Sequence, residues 1–216
     1  MKAKAITIPR RITPQEAVTL QNRLAPLISQ GSALPEEIRY VAGTDGAYEG
    51  SRAAGAAVVI KYETLQAAEI ATARAHVTFP YIPGLLAFRE APIIVRALRK
   101  LKHRPDVCIV DGHGLAHPRR FGLACHVGLV MDLPTIGVAK SLLSGREVGR
   151  RIVDPWENSI AEVVRANGKK LYVSVGHKIS LDESVRVVRH CISKRGLEPM
   201  LLAHQEAQKA KWSIRN

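Results

Sequence analysis

Between residues 53 and 62 the chain reads Ala-Ala-Gly-Ala-Ala-Val-Val-Ile-Lys-Tyr, ten residues with one charge. The run is far shorter than the ~20 apolar residues of a membrane span. It lacks the alternation of a half-wet strand, so it reads as a strand buried on both faces. A strand of that kind needs covering layers above and below its sheet. Its neighbours supply the sheet. Arg39–Tyr48 reads as one strand, and in Leu65–Val77 residues Ala71, Ala73, Ala75 and Val77 alternate with Thr72, Arg74 and His76, giving one covered and one wet face. The connections at Glu49-Gly50-Ser51 and Glu63-Thr64 are short enough for antiparallel hairpins.

Helices and strands then alternate. Before the strands, Thr13-Pro14-Gln15-Glu16 forms a capping box with Pro at the first helical position, opening a helix that runs to about Ile28, with Gly31 beyond it. After them, the Pro- and Gly-rich segment Phe79–Gly84 leads to a helix near Ala91–Leu101, where Pro92 fits the first turn. A strand at Asp106–Asp111, a Gly- and His-rich loop, a helix near Phe121–Met131 and a strand at Thr135–Val138 follow. Residues 142–170 are read as holding one further helix before a strand at Lys170–Val175. Ser180–Glu183 is a second capping box, and a last helix spans about Pro199–Trp212. With no repeats or Ser/Gly linkers, one domain is expected over 1–216. The expected fold is α/β: a mixed sheet of five to six strands, three antiparallel and then parallel, with helices on both faces.

Lys and Arg number 32 against 19 acidic residues, a net charge of +13, with an isoelectric point near 10.1. That excess attracts polyanions, of which nucleic acid is the commonest in cells, although a basic surface serving solubility has the same composition. Cys108, Cys125 and Cys191 are odd in number and widely spaced, so neither a disulfide framework nor a zinc ribbon is expected. They fit buried thiols in a reducing compartment. With no apolar signal core at the N-terminus, the expected location is the cytoplasm, without membrane association.

In mixed sheets, ligands gather at strand carboxyl ends. Asp45 and Asp111 both stand there. Asp45 lies in the otherwise apolar strand Val41–Ala47, where a carboxylate is costly to bury unless it is paired or metal-bound, though it also suits the start of a turn. Asp111 closes Val107–Val110 and meets Gly112-His113-Gly114, a setting for metal or phosphate that is also an ordinary turn. Glu90, just ahead of Pro92, could be a metal ligand or an N-terminal helix Glu facing the macrodipole. His113, His117 and His126 lack the paired spacing of a zinc site. Lys140, at the end of the Thr135–Ala139 segment, is either a solvated charge or one that balances phosphate. Hydrolysis of a phosphodiester by hard divalent cations needs carboxylates brought together from several elements, and these residues are the candidates.

The strings FPYIPGLLAFRE (79–90), DGHGLAHPRRFGLACHVG (111–128) and GVAK (137–140) strongly resemble the endonuclease V family, as do Val41–Tyr48 and Val173–Leu181. The resemblance runs over roughly residues 10 to 210. It implies a ribonuclease H-like fold and cleavage, dependent on Mg²⁺ with Mn²⁺ as a substitute, at the second phosphodiester 3′ to deoxyinosine in DNA repair, leaving 3′-hydroxyl and 5′-phosphate ends. It further implies that Asp45, Glu90 and Asp111 hold metal, joined by His204 on the last helix, and that His117 and Lys140 lie near the scissile phosphate. Tyr81-Ile82-Pro83-Gly84 would fill the gap left by a flipped base, and Gly112, His113, Gly114, Gly137 and Leu86 would line the pocket receiving it. Flipping costs a few kcal/mol, less for a mispaired base. The expected partner of this enzyme, read as a monomer, is DNA containing deaminated bases.

The chain departs from the family pattern at Gly46-Ala47, at Leu115, where Tyr is common, and at Met200-Leu201. Two rivals keep the fold. One acts on inosine-containing RNA; the other is a catalytically silent nucleic-acid-binding module. A Holliday-junction or excision nuclease of similar fold would give no reason for the YIPG and DGHG strings.

Overall fold

The computed structural model describes residues 12–212. Three strands, β1 (Tyr40–Glu49), β2 (Arg52–Lys61) and β3 (Ala67–His76), form the expected antiparallel hairpins. All eight interior residues of β2 are buried, as its unbroken apolar run requires. β4 (Val107–Asp111) pairs parallel to β1, and β5 (Thr135–Ala139) pairs parallel to β4. The core order β3-β2-β1-β4-β5 is the ribonuclease H-like arrangement.

The sheet then continues further than its sequence suggests. β6 (Arg146–Val148), β7 (Arg151–Val153), β8 (Ser159–Ala166) and β9 (Lys169–His177) add an antiparallel extension in the order β5-β9-β8-β7-β6, making nine strands. The helix expected within 142–170 is absent. In its place, Gly149 turns one hairpin with φ +60, and Asn167-Gly168 turns another with φ +49 and +76. Positive φ at both central residues is the type I′ geometry that matches strand twist. A two-residue pair, β10 (Ile192–Ser193) with β11 (Gly196–Leu197), stands apart.

Side chains sort to the two faces of the sheet with period two. Ala42, Val59, Cys108 and Val110 pack with Ala91 and Ile94 of α2 (Leu86–Leu98) and with Leu123 and Val127 of α3 (Leu123–Met131). Val41, Val58, Ile60 and Ile109 pack with Val185 and Val188 of α4 (Leu181–His190) and with Met200 and Ala203 of α5 (Glu198–Trp212). A Cβ on Gly43 would stand 2.1 Å from the Pro199 carbonyl oxygen, so the bare backbone of β1 is what lets α5 approach so closely.

Both capping boxes form, on α1 (Pro14–Leu24) and on α4. α1 stops short of Ile28 and tightens into a 3-10 turn over Ala25–Leu27, which contains Pro26. α2 starts five residues earlier than expected and carries Pro92 in its interior. Burial of eight of its residues against the sheet and α3 outweighs the hydrogen bond the proline removes. The shift moves Glu90 beyond the first helical turn. Cys108, Cys125 and Cys191 are free and buried. Among the described residues, no helix is long and apolar enough to cross a membrane.

Candidate active site

The parallel register of β1 and β4 ends with Thr44 opposite Val110, so the next residues, Asp45 and Asp111, come side by side where the two strands part, Asp45 still paired with β2 and Asp111 with β5. Neighbouring strands are ~4.8 Å apart. Glu90 enters from α2, half-buried and near enough for both charges to act on it. Burial, reinforced by Asp45 and Asp111, pushes the Glu90 carboxyl up to about 8. Burial also raises Asp111, although Lys140 works against that shift. Like charges in a dry site disfavour simultaneous ionisation.

Asp111 and Asp45 are each engaged by a neighbouring side chain. Lys140 Nζ lies 2.5 Å from Asp111 Oδ2. Desolvation would lower the Lys140 pKa, but its bond to Asp111 and the surrounding carboxylates leave it raised. His204 Nδ1 lies 2.7 Å from Asp45 Oδ2, so the residue on α5 reaches the site despite the Met200-Leu201 departure. Among the described residues, no three His, Cys, Asp or Glu side chains close into a ligand set.

Two residues not singled out in the sequence support Glu90. The Tyr48 hydroxyl is buried beside it without a hydrogen bond of full geometry. A Cβ on Gly46 would come within 2.8 Å of that hydroxyl, so the Gly46 departure makes the room Tyr48 uses. Arg89 lies over the Tyr48 ring. Arg89 belongs to the Phe-Arg-Glu string, which marked its importance but not its role. Tyr48 carried no signal beyond being a polar aromatic at a strand end.

Arg89 also donates to the Phe79 carbonyl at 2.7 Å, at the start of the 79–84 segment. Tyr81 at its tip is 69% exposed, whereas Phe79 is buried and Ile82 packs beside it. Gly84 has φ +78, and its carbonyl accepts from Gln21 Nε2 at 3.0 Å, His117 Nε2 at 2.9 Å and Arg119 Nη2 at 2.7 Å. A rigid base thus presents one free aromatic ring, flanked by the exposed Pro83.

His117 is accordingly placed at the base of this segment. Its Nδ1 accepts from the Arg119 amide at 3.1 Å, which fixes the proton on Nε2. Burial lowers its pKa to about 4, so it is neutral. Its polar contacts run to Gly84 and Arg119 rather than to the carboxylates. His126 is fully buried between Phe88 and Phe121 with no partner for either ring nitrogen, and burial lowers it to about 4. His113 is lowered to about 4 by burial and has an unpartnered Nδ1.

The expected pocket glycines do come together. A Cβ on Gly137 would meet the Gly114 nitrogen at 2.4 Å and the Gly112 oxygen at 2.7 Å, so the 112–114 loop lies directly across β5. The Gly114 amide donates to Ser174 Oγ at 2.9 Å, pinning the loop to β9. Leu86 is half-buried at the start of α2.

The endonuclease V family profile matches residues 22–205. The chain belongs to the endonuclease V family. It is 41% identical over 212 residues to endonuclease V of Thermofilum pendens, covering 91% of this chain and 88% of that one. The crystal structure of endonuclease V from Streptomyces avermitilis superposes with a TM-score of 0.88 at 34% identity, covering 98% of each chain. A Ciona intestinalis endonuclease V variant, solved in complex with a 23-mer DNA containing an inosine followed by a ribo-adenosine, gives 0.85 at 28% identity, covering 94% of this chain and all of that one.

Proposed function

We propose that the protein is a Mg²⁺-dependent repair endonuclease that nicks DNA at the second phosphodiester 3′ to deoxyinosine, leaving 3′-hydroxyl and 5′-phosphate ends. The observation that carries this reading is the β1–β4 register, which sets Asp45 beside Asp111, with the half-buried Glu90 near enough to feel both charges. Membership of the family and a relative bound to inosine-containing DNA support the substrate.

The donor set suits a hard divalent ion. Three carboxylates supply oxygen ligands, His204 stands at the rim, and the Tyr48 hydroxyl is placed to donate to the Glu90 carboxylate. Asp45, Glu90 and Asp111 would hold the ion, which when bound compensates charge on the phosphate. The protein's own groups do the remaining work. Lys140, 65% exposed, can turn from Asp111 towards a phosphate oxygen once that carboxylate is otherwise engaged. Tyr81 stacks in the gap beside a displaced base, and the Gly84 carbonyl network keeps the wedge from yielding. The bare backbone of Gly112–Gly114 over Gly137 receives the base and reads its edge through peptide groups. Neutral His117 holds the wedge in register with this loop.

A second reading, cleavage of inosine-containing RNA, is favoured by the ribo-adenosine that follows the inosine in the Ciona complex. End-labelled substrates carrying one deoxyinosine or one inosine, with and without Mg²⁺, separate the two. A Mg²⁺-dependent cut between the first and second nucleotides 3′ to the base in the DNA substrate is expected. Cleavage confined to RNA favours the second reading, and no cutting of either sinks both.

A further inference from the structure

The pairing of β7 with β8 ends at Arg151–Glu162, while β8 runs on to Ala166 against β9. Among the described residues, no strand lies beyond the sheet edge that residues 164–166 present. A cleft of about 470 Å³ opens there, walled by Val163, Val164 and Ile192 and carrying Arg150, Arg165, Lys170 and Arg189 against a single acid, Glu147. Lys170 is engaged by Glu147 at 2.7 Å, and Arg189 by Glu162 at 2.8 Å. Arg150 and Arg165 are exposed, and neither is in an ion pair or side-chain hydrogen bond among the described residues. Two uncompensated guanidinium groups beside an open strand edge match the phosphodiester backbone, which offers repeated anionic oxygens to forked donors.

The cleft lies at the catalytic end of the sheet. Ala139 pairs with Tyr172, Tyr172 with Val163, and Lys170 with Arg165, so Arg165 is level with the segment just past Lys140. At ~4.8 Å per strand, β8 lies about 14 Å from β4, which carries Asp111. That separation equals roughly four nucleotides of rise at ~3.4 Å each. We infer that this cleft is a second phosphate-binding site, holding the nucleic-acid backbone a few nucleotides from the cut. The inference rests on the proposed nuclease reading for its choice of polyanion. It assigns a role to the β6–β9 extension, which contributes none of the catalytic residues.

A methylphosphonate walk tests it. Single neutral linkages are placed at successive positions out to about six nucleotides from the inosine on both sides. Binding to the full-length parent and to the Arg150→Gln/Arg165→Gln variant is then measured by anisotropy with Ca²⁺ in place of Mg²⁺. The parent should lose affinity several-fold at one or two linkages about three to five nucleotides from the cut. The variant should be insensitive at those linkages alone, and its log–log salt slope should fall by roughly 0.9 per lost phosphate. Arg165→Gln alone serves if the double variant does not fold. Identical walks for parent and variant overturn the inference. Saturable binding of inorganic phosphate by the parent, lost in the variant without any change in the walk, assigns the cleft to small anions and also overturns it. If the parent shows no preference for inosine yet the walk changes as described, the cleft stands and the proposed function falls.

Discussion

The Arg89 guanidinium carbon lies 4.7 Å from the centroid of the Tyr48 ring. Because Arg89 also bonds the Phe79 carbonyl and Tyr48 abuts Glu90, one side chain joins the wedge segment to the carboxylates. If Tyr81 inserts into nucleic acid as proposed, this link should couple that insertion to the posture of Glu90.

Removing that link should harm catalysis more than stability. A cation–π contact contributes ~0.5–2 kcal/mol and a charge-assisted hydrogen bond ~1.5–3 kcal/mol. Arg89→Ala should lower kcat/KM on inosine DNA at least about tenfold, one decade being ~1.4 kcal/mol. Arg89→Lys should restore only part of the loss, since an ammonium lacks the planar fork. Steady-state kinetics with thermal melts of both variants check this. Parent-level kcat/KM in Arg89→Ala would remove the coupling.

Asp45→Asn and Asp111→Asn preserve size and remove charge. Cleavage should fall by orders of magnitude in each, while binding to inosine DNA in Ca²⁺ persists because phosphate contacts dominate affinity. Asp111→Asn should also release Lys140 from its 2.5 Å ion pair. Near-parental Mg²⁺-dependent cutting in either variant would overturn the metal-site assignment.

Tyr81 is exposed at the tip of a segment whose base is held by three donors to one carbonyl. Tyr81→Ala should therefore leave the melting temperature unchanged and lower the preference for inosine over undamaged DNA. The lost stacking surface is worth ~1–3 kcal/mol in comparable base contacts. Competition binding between the two duplexes measures it, and an unchanged ratio would rule out the wedge role.

The elements read best from the sequence were those whose pattern had one physical solution. The apolar run 53–62 could only be a doubly covered strand, and two Ser/Thr-x-x-Glu boxes could only cap helices. The extension was misread although Asn167-Gly168 is a strong hairpin signal, because β8 interleaves Glu162 and Arg165 with apolar residues in no clean alternation. Glu90 looked N-terminal because Pro92 normally marks a first turn; tertiary burial overrode that local rule. The three carboxylates were legible as strand-end and motif residues, but their mutual placement follows from register, and single-residue pattern does not encode register. The inward turn of His117 to the Gly84 carbonyl was likewise invisible, since it depends on a contact 33 residues away.

Glu90 should set the pH response of the proposed metal binding. In the metal-free protein its carboxyl is raised from 4.5 to about 8, by burial first and then by Asp45 and Asp111, so at pH 7 the trio holds a proton. The unfolded chain would bind that proton only below about 4.5. Between those values the folded state carries more protons, and its Glu90-linked stability declines as pH rises towards 8. Ligation needs the carboxylate, so Mg²⁺ must displace the proton, and its affinity should climb with pH until about 8 and then level off. The rise in melting temperature produced by a fixed Mg²⁺ concentration should accordingly grow from about pH 6 to about pH 8.5. Titration of Mg²⁺ at pH 7 in weak buffer should release close to one proton per ion bound. Glu90→Gln should bind the ion more weakly and release almost none, because the remaining carboxylates no longer share a buried proton with it. A Mg²⁺ increment that is flat across that pH range, with no proton release, would show that Glu90 is not a ligand.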